Sequence, residues 1–338
     1  MQKSILTLAV IAALTSNAAM AASNNVQGSS SGSLVQVGPS THTWFDKGNS
    51  GLKLNNSSSG YIDLADGPIR GSNAALADAP DSNGNYFLYP AHVGQLPLPL
   101  KVAQVWKDET SVNDANTGSD YANFAVNSVR QITTLSLAPQ FGGLVIGQVG
   151  ETTPGAVSST TLLPVGEGVY FGEWAPRVGS PAASGTNLNM TSGDRTVWYV
   201  GDNATTSTTM PTTINATYGV IGTGQTGTDA NGNTLAGGLP GNLNLYQGKL
   251  DVAYANGSGT IGAGATNNSI SRDVNGVTQT ISFAGTTIGN SGSFSNGSTI
   301  QGQFYNGAEA LAGIYQSATG VADDVAFGGS KISGTITP

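Results

Sequence analysis

The run Leu250-Asp251-Val252-Ala253-Tyr254-Ala255-Asn256-Gly257-Ser258-Gly259-Thr260-Ile261 decides the fold. Leu250, Val252 and Tyr254 recur at every second position, the period of a half-buried strand. Asn256-Gly257 interrupts them, and both residues tolerate positive φ, so the pair predicts a tight hairpin turn. The same punctuation returns at Asn275-Gly276 and Asn296-Gly297, and a longer turn cluster lies at Asp229-Ala230-Asn231-Gly232-Asn233. Between the turns the sequence predicts strands at Asn215 to Gly222, Leu243 to Ala255, Gly259 to Ile270 and Thr278 to Gly285. Others follow at Gly292 to Ser295, Thr299 to Tyr305, Ala310 to Gln316 and Ala326 to Ile336. Regular short strands with such turns imply an antiparallel barrel or sandwich. Closure into a barrel would leave no exposed sheet edge.

Upstream, strands are predicted at Ile132 to Leu137, Leu144 to Val149, Val169 to Trp174 and Thr196 to Val200. Ser119 to Arg130 reads as a short helix, because Ser-Asp offers a cap and Tyr121, Phe124, Ala125 and Val129 share one stripe. Residues 41–130 are less regular and hold an aromatic cluster with many Pro and Gly breakers. Residues 22–40, rich in Ser, Gly and Asn, read as a flexible leader. Residues 1–21 read as a secretory signal peptide: Lys3, the apolar run Ile5 to Leu14, and Ala19-Met20-Ala21 before the cut. The apolar run is too short to span a bilayer. The product is therefore expected outside the cell, without a membrane anchor. A domain border is expected at 194/195, with an N-terminal ligand domain over 22–194 and a barrel over 195–338.

Composition narrows the function. Only 9% of the 338 residues are charged, Gly occurs 48 times and Cys is absent. Without Cys there are no disulfides, no thiolate metal site and no covalent haem attachment. The formal charge of −8 argues against nucleic acid, whose phosphates need a basic face. Gly222 to Gly227 and Gly257 to Gly262 both fit G-x-G-x-x-G, but neither is expected to open a helix. Gly28-Ser29-Ser30-Ser31-Gly32 fits a nucleophile elbow only on paper. Asp81 to Asn85 and Asp229 to Asn233 begin like calcium loops but lack the later Glu. No nucleophile, base and orienter set is present, so an enzyme is not expected.

The chain has two histidines. His42 lies in Thr41-His42-Thr43-Trp44-Phe45, and His92 in Tyr86-Phe87-Leu88-Tyr89-Pro90-Ala91-His92-Val93. A haem is a wide apolar plate whose burial is favourable at about 25 cal/mol per Å². Its iron has two axial positions that neutral imidazoles suit. His42 and His92 are the candidate iron ligands. Trp44, Phe45, Tyr86, Phe87, Tyr89 and Val93 are the candidate contacts to the macrocycle. Lys47, Lys101 or Lys107 could meet the propionates. Two other readings stand beside this one: both His are solvated loop residues, or Tyr86 or Tyr89 replaces one of them on the iron. A closed zinc site is disfavoured, since it usually takes four ligands.

A resemblance sharpens these expectations. Thr299-Ile300-Gln301-Gly302-Gln303-Phe304-Tyr305-Asn306-Gly307-Ala308-Glu309-Ala310-Leu311-Ala312-Gly313-Ile314-Tyr315 resembles the closing signature of Slam-dependent surface proteins with a transferrin-binding-protein-B-like barrel. Asn306 and Ala312 stand where Gly is usual. Val169 to Trp174, Val197 to Asp202, and Met210-Pro211 with Ala216 to Val220 resemble further segments in order, over about 165–338. Within that group a member without a lipobox Cys resembles the hemophilins. The resemblance implies a mainly β chain, with a clamp-like N-terminal ligand domain holding few short helices and a C-terminal eight-stranded antiparallel β-barrel. It implies a secreted hemophore that binds haem b (iron protoporphyrin IX) through two axial histidines, here His42 and His92. Its partners would be host haem proteins as source, a TonB-dependent outer-membrane receptor and a Slam translocon. The alternatives are the same scaffold holding another ligand, cobalamin-like or a host protein, or a surface adhesin.

Overall fold

A computed structural model describes residues 25–41, 48–54, 60–65, 86–88, 103–113, 120–131, 142–154, 161–177 and 188–338. In chain order the first strands are β1 (Gln27–Ser30), β2 (Val35–Pro39), β3 (Ser50–Leu54), β4 (Ile62–Asp63) and β5 (Tyr86–Leu88). Five longer ones follow: β6 (Ala103–Asn113), β7 (Asp120–Gln131), β8 (Gly143–Pro154), β9 (Val169–Ala175) and β10 (Thr196–Gly201). Next come β11 (Thr213–Thr223), β12 (Gly238–Leu239), β13 (Asn242–Leu243), β14 (Tyr246–Ala255), β15 (Ser258–Ile261) and β16 (Asn268–Val274). The last are β17 (Val277–Ser282), β18 (Thr286–Ile288), β19 (Ser293–Asn296), β20 (Ile300–Tyr305), β21 (Ala310–Tyr315) and β22 (Val325–Thr337). Among the described residues the helical turns are 3₁₀ turns at Asn306–Ala308 and Val321–Asp323.

Seven strands form one antiparallel sheet in the order β1-β10-β9-β8-β7-β6-β5. A second sheet runs β11-β22-β21-β20-β19-β18-β15-β14, and the pairing of β14 back onto β11 closes it into an eight-stranded antiparallel barrel. The hairpin β16–β17 continues from β14 beside β15. The mainly β architecture with this barrel is the expected one. β2, β3 and β4 make a small third sheet.

Two cores explain why the closing strands are apolar on both faces. Inside the barrel pack Tyr218, Val220, Leu250, Val252, Ile261, Ile270, Phe283, Phe294, Phe304, Leu311 and Phe327. Between the barrel wall and the seven-stranded sheet pack Phe124, Val126, Val145, Val149, Phe171, Val197 and Tyr199 from the sheet. Tyr305, Ala310, Ala312, Ile314, Ala326 and Ile332 meet them from the barrel. In β21 the alternation is visible residue by residue: Ala310, Ala312 and Ile314 face the sheet, and Leu311 faces the barrel interior. Close approach of the two layers depends on Gly328. A methyl there would run into the Phe171 ring.

Three expectations are corrected. Ser119 to Arg130 is not a helix: Asp120–Gln131 is the strand β7, paired with β6 and β8. Its two faces are both buried, so its apolar residues do not mark a single stripe. The leader reading of residues 22–40 also fails where the residues are described. Gln27–Ser30 pairs with β10, and Val35–Pro39 with β3. Gly259 to Ile270 is two strands, not one, because the chain leaves β15 at Gly262 in a left-handed conformation (φ 66°). The segments 1–21 and 132–137 lie outside the described residues.

Candidate functional site

His42, Trp44, Phe45, Tyr89, His92 and Val93 lie outside the described residues, as do Lys47 and Lys101. Tyr86 and Phe87 belong to β5, where they pair with Val105 and Gln104. The strands that flank the two histidine segments are described, and they define where each arm leaves the fold.

The His42 arm connects β2 to β3, and its base is tied shut. Ser40 N–H donates to Asn49 O (2.7 Å), and Thr41 N–H donates to Tyr61 O (3.0 Å). Below them sits a buried polar knot. Asp63 accepts from Ser40 Oγ (3.2 Å), Asn49 Nδ2 (3.0 Å) and Ala65 N (2.8 Å). Asp202, just past β10, accepts from Ser50 N (2.6 Å), Ser50 Oγ (2.9 Å) and Gly168 N (3.2 Å). Burial, with a contribution from Asp63, pushes the Asp202 carboxyl up to about 6 against these hydrogen bonds. Thus the hairpin carrying His42 is fixed to the Gly201 end of β10.

The His92 arm follows β5 at the other edge. Leu88 pairs with Ala103, which pairs with Gln131. This is the opposite end of the strands, since Arg130 pairs with Gly143 and Gly143 with Ala175. Strands β9, β8, β7 and β6 separate β10 from β5, a lateral distance of about 24 Å at ~4.8 Å per strand.

A cluster of charged side chains lies at the His92 end, on the face toward the barrel. Glu173, buried in β9, accepts from Arg195 Nε (2.9 Å) and Nη2 (2.5 Å), Gln225 N (3.0 Å) and Thr226 N (3.0 Å). Arg195 donates in turn to the carbonyls of Val321 (2.5 Å) and Asp324 (2.8 Å). This knot joins sheet and barrel. Burial alone would raise Glu173, but the Arg195 charge and these hydrogen bonds hold it below its usual range. Two β7 positions along, the Arg130 guanidinium lies over the Trp106 ring, 5.6 Å from its centroid. Burial pushes Arg130 down to about 9, Glu173 opposes the shift, and neighbouring Arg177 adds to it. Arg177 is itself lowered by burial. Lys107, half-buried on β6, is likewise lowered by burial, and strand alternation puts it on the opposite face from Trp106.

The sheet's other face is also buried. Ala125, Val129, Leu144, Ile146, Tyr170, Trp174, Trp198 and Val200 lie there with Asn123, Asn127 and Gln148. Sequence reading missed this face and the Arg130, Arg177, Glu173, Arg195 cluster. Their signal is present in hindsight: Glu173 and Arg130 interrupt apolar strands in a chain poor in charge, and such positions are buried only with partners.

No family model matches the chain, and no curated protein matches it. Among solved structures it is similar to the haemoglobin receptor HpuA from Kingella denitrificans in its apo form. The identity is 13%, covering 95% of this chain and 95% of that one, with a TM-score of 0.33. HpuA from the same organism in complex with human haemoglobin gives 12% identity, coverage of 96% and 90%, and a TM-score of 0.32. A double mutant of transferrin binding protein B from Haemophilus parasuis Hp5 gives 10% identity, coverage of 82% and 69%, and a TM-score of 0.23. At these TM-scores the likenesses carry no functional argument.

Proposed function

We propose that the protein is a secreted hemophore that captures haem with His42 and His92 and passes it to an outer-membrane receptor. One observation supports this reading above the others. The closed eight-stranded barrel implied by the closing signature at Thr299 to Tyr315 is present, with β20 and β21 formed from that signature. The two residues that depart from the signature fit this fold. Asn306 takes the left-handed φ of 54° that Gly usually supplies, and its Nδ2 donates to Glu167 O (2.9 Å). Ala312 puts its methyl group into the core shared with the seven-stranded sheet.

The action would be capture and release rather than catalysis. Host haem proteins would supply the ligand, and a TonB-dependent receptor would accept it after export through a Slam translocon. Haem would lie between the arms that leave β2 and β5, with the aromatic residues Trp44, Phe45, Tyr86, Phe87 and Tyr89 against its faces. Neutral imidazoles bind ferric iron and protonated ones do not, so affinity falls as pH drops through the imidazole range.

Titration of the purified chain with ferric haem tests this. The expected result is one haem per chain with a low-spin visible spectrum, altered by His42→Ala and by His92→Ala separately. Weak, unsaturable binding that neither substitution changes would overturn the proposal and leave an adhesive or host-protein-binding role for the scaffold. A spectrum changed by only one of the substitutions would move the second axial position to another residue.

A further inference from the structure

We infer that the outer edge of β17 pairs with the same edge of a second copy of this chain, antiparallel and about a two-fold axis at Thr280.

The barrel wall closes on itself, but the β16–β17 hairpin keeps one free side. Among the described residues β17 pairs with β16 and with no other strand. Asn275 and Gly276 form its turn with φ of 53° and 80°, the signs of a type I′ hairpin. The flanking residues Val274 and Val277 stand opposite each other, and in a two-residue hairpin that pair exchanges both backbone hydrogen bonds. Alternation then commits the N–H and C=O groups of Gln279 and Ile281 to β16. Those of Thr278, Thr280 and Ser282 turn outward. Phe283 keeps the same phase, donating its N–H to Asn268 O (2.8 Å). The side chains alternate with the backbone. Ile281 packs in the barrel core, and Gln279 Oε1 accepts from Tyr246 OH (3.1 Å) and Arg272 Nε (2.8 Å). Thr278, Thr280 and Ser282 are exposed. Beside Thr280 lies a groove of about 250 Å³ whose far wall is Tyr315, Ser317, Asp323 and Asp324, so the chain leaves this side of the strand open.

The make-up of the edge selects its occupant. Val277-Thr278-Gln279-Thr280-Ile281-Ser282 holds no charge and no Pro, the devices that ordinarily blunt an edge strand. In a chain of formal charge −8, two copies meet along this strand without a carboxylate of the strand facing its own image. The strand is also self-complementary. With Thr280 opposite Thr280 of the second copy, Thr278 faces Ser282, and each facing pair exchanges two backbone hydrogen bonds. The exposed face then carries Thr–Thr and Thr–Ser pairs, a favourable cross-strand match. Val277 is 66% exposed, more than any other large hydrophobic side chain among the described residues. The two-fold places it opposite the residue that follows β17 in the second copy. Each copy has one such edge, so pairing stops at a dimer.

Sedimentation velocity of the purified chain without haem, over about 1–300 μM, tests this. The edge is short, so the expected result is a reversible monomer–dimer equilibrium with a Kd of about 10–100 μM and no larger species. Thr280→Lys and Thr280→Glu each set two like charges face to face and are expected to weaken the dimer about fivefold or more. An equimolar mixture of the two variants is expected to dimerise at least as tightly as the wild type, because opposite charges then meet at the axis. The side chain is exposed, so both variants should fold, and circular dichroism checks that they do. A wild type that stays monomeric throughout, or that forms species larger than a dimer, overturns the inference. So does a dimer that both charged variants leave intact. So does one that their mixture fails to restore, since a contact that does not bring Thr280 against Thr280 has no reason to respond to opposite charges there.

Discussion

Glu173 is a charged residue in the middle of the apolar strand Val169–Ala175, and the fold keeps it only because Arg195 and two backbone amides reach it. Replacing Arg195 by Met removes the guanidinium that donates two hydrogen bonds to a buried carboxylate. Breaking one side of such a pair typically costs about 3–5 kcal/mol. The cost depends on pH in a defined direction. In the wild type Glu173 titrates below its ordinary value, so its contribution is present above that value and is lost as pH falls through the lower folded one. In Arg195→Met the carboxyl is raised by burial and takes up a proton instead. Urea unfolding at pH 7 and pH 4 should therefore show a larger deficit for the variant at pH 7. An equal deficit at both would mean that Arg195 acts through packing alone. Gly328 makes the companion case without charge. Gly328→Ala thrusts a methyl group into Phe171 in the densest part of the shared core. The expected loss, about 1–3 kcal/mol by the same unfolding measurement, is that of an overpacked site.

At the scale of elements, the β2–β3 hairpin shows how a histidine arm is held. Ser50, the first residue of β3, gives both its N–H and its Oγ to Asp202, so the strand starts where the carboxylate lies. The Asp202 carboxyl is raised to about 6, which means the folded chain keeps this proton longer than the unfolded chain. Its effect on stability is thus absent at low pH and becomes unfavourable as pH rises from about 4 to about 6. Asp202→Asn removes the titration. Relative to that variant, wild-type stability should decline across this window by up to roughly 2–3 kcal/mol and then level off. A flat difference from pH 4 to pH 8 would show that Asp202 does not titrate there. The hairpin also marks the limit of what could be read from the residues. Strands with one buried face were legible, because Leu250, Val252 and Tyr254 alternate with Asp251, Ala253 and Ala255, which are less buried. β7 was not, because Ala122, Phe124 and Val126 face one core while Asn123, Ala125 and Asn127 are buried on the other side. With both faces covered, period two disappears, and the chance spacing of Tyr121, Phe124, Ala125 and Val129 imitates a helix. β1 and β2 looked like a leader because their Ser and Gly residues carry no apolar pattern. They are strands because β10 and β3 supply the pairing. The Glu173 knot was illegible for a related reason: Glu173 comes from β9, Arg195 from just before β10 and the two amides from Gln225 and Thr226, and only the fold brings them together.

At the scale of the whole molecule, the seven-stranded sheet and the barrel are stabilised by one shared layer of side chains, so their stabilities are coupled. Ala310, Ala312, Ile314 and Ala326 leave water only against the sheet, and Phe171, Val197 and Tyr199 only against the barrel. The chain carries a natural probe for this. All four tryptophans, Trp44, Trp106, Trp174 and Trp198, precede the first barrel strand at Thr213. Tryptophan fluorescence therefore reports on the N-terminal side alone, while hydrogen exchange in Ile300–Tyr305, Ala310–Tyr315 and Val325–Thr337 reports on the barrel. Ala312→Asp places an unpaired charge in the shared layer from the barrel side, at a cost of about 3 kcal/mol or more. If the two units fold together, the fluorescence midpoint falls with the barrel's exchange protection, and both follow a single transition. If the barrel loses protection while the fluorescence midpoint stays in place, the units are independent. In the coupled arrangement the seven-stranded sheet, which includes β5 at its edge, is held by the whole barrel. The same coupling gives the proposed haem binding a readout on the far side. Saturating haem should raise exchange protection in Val325–Thr337, although that strand lies in the barrel wall and not in β2, β3 or β5, the strands that flank the two arms.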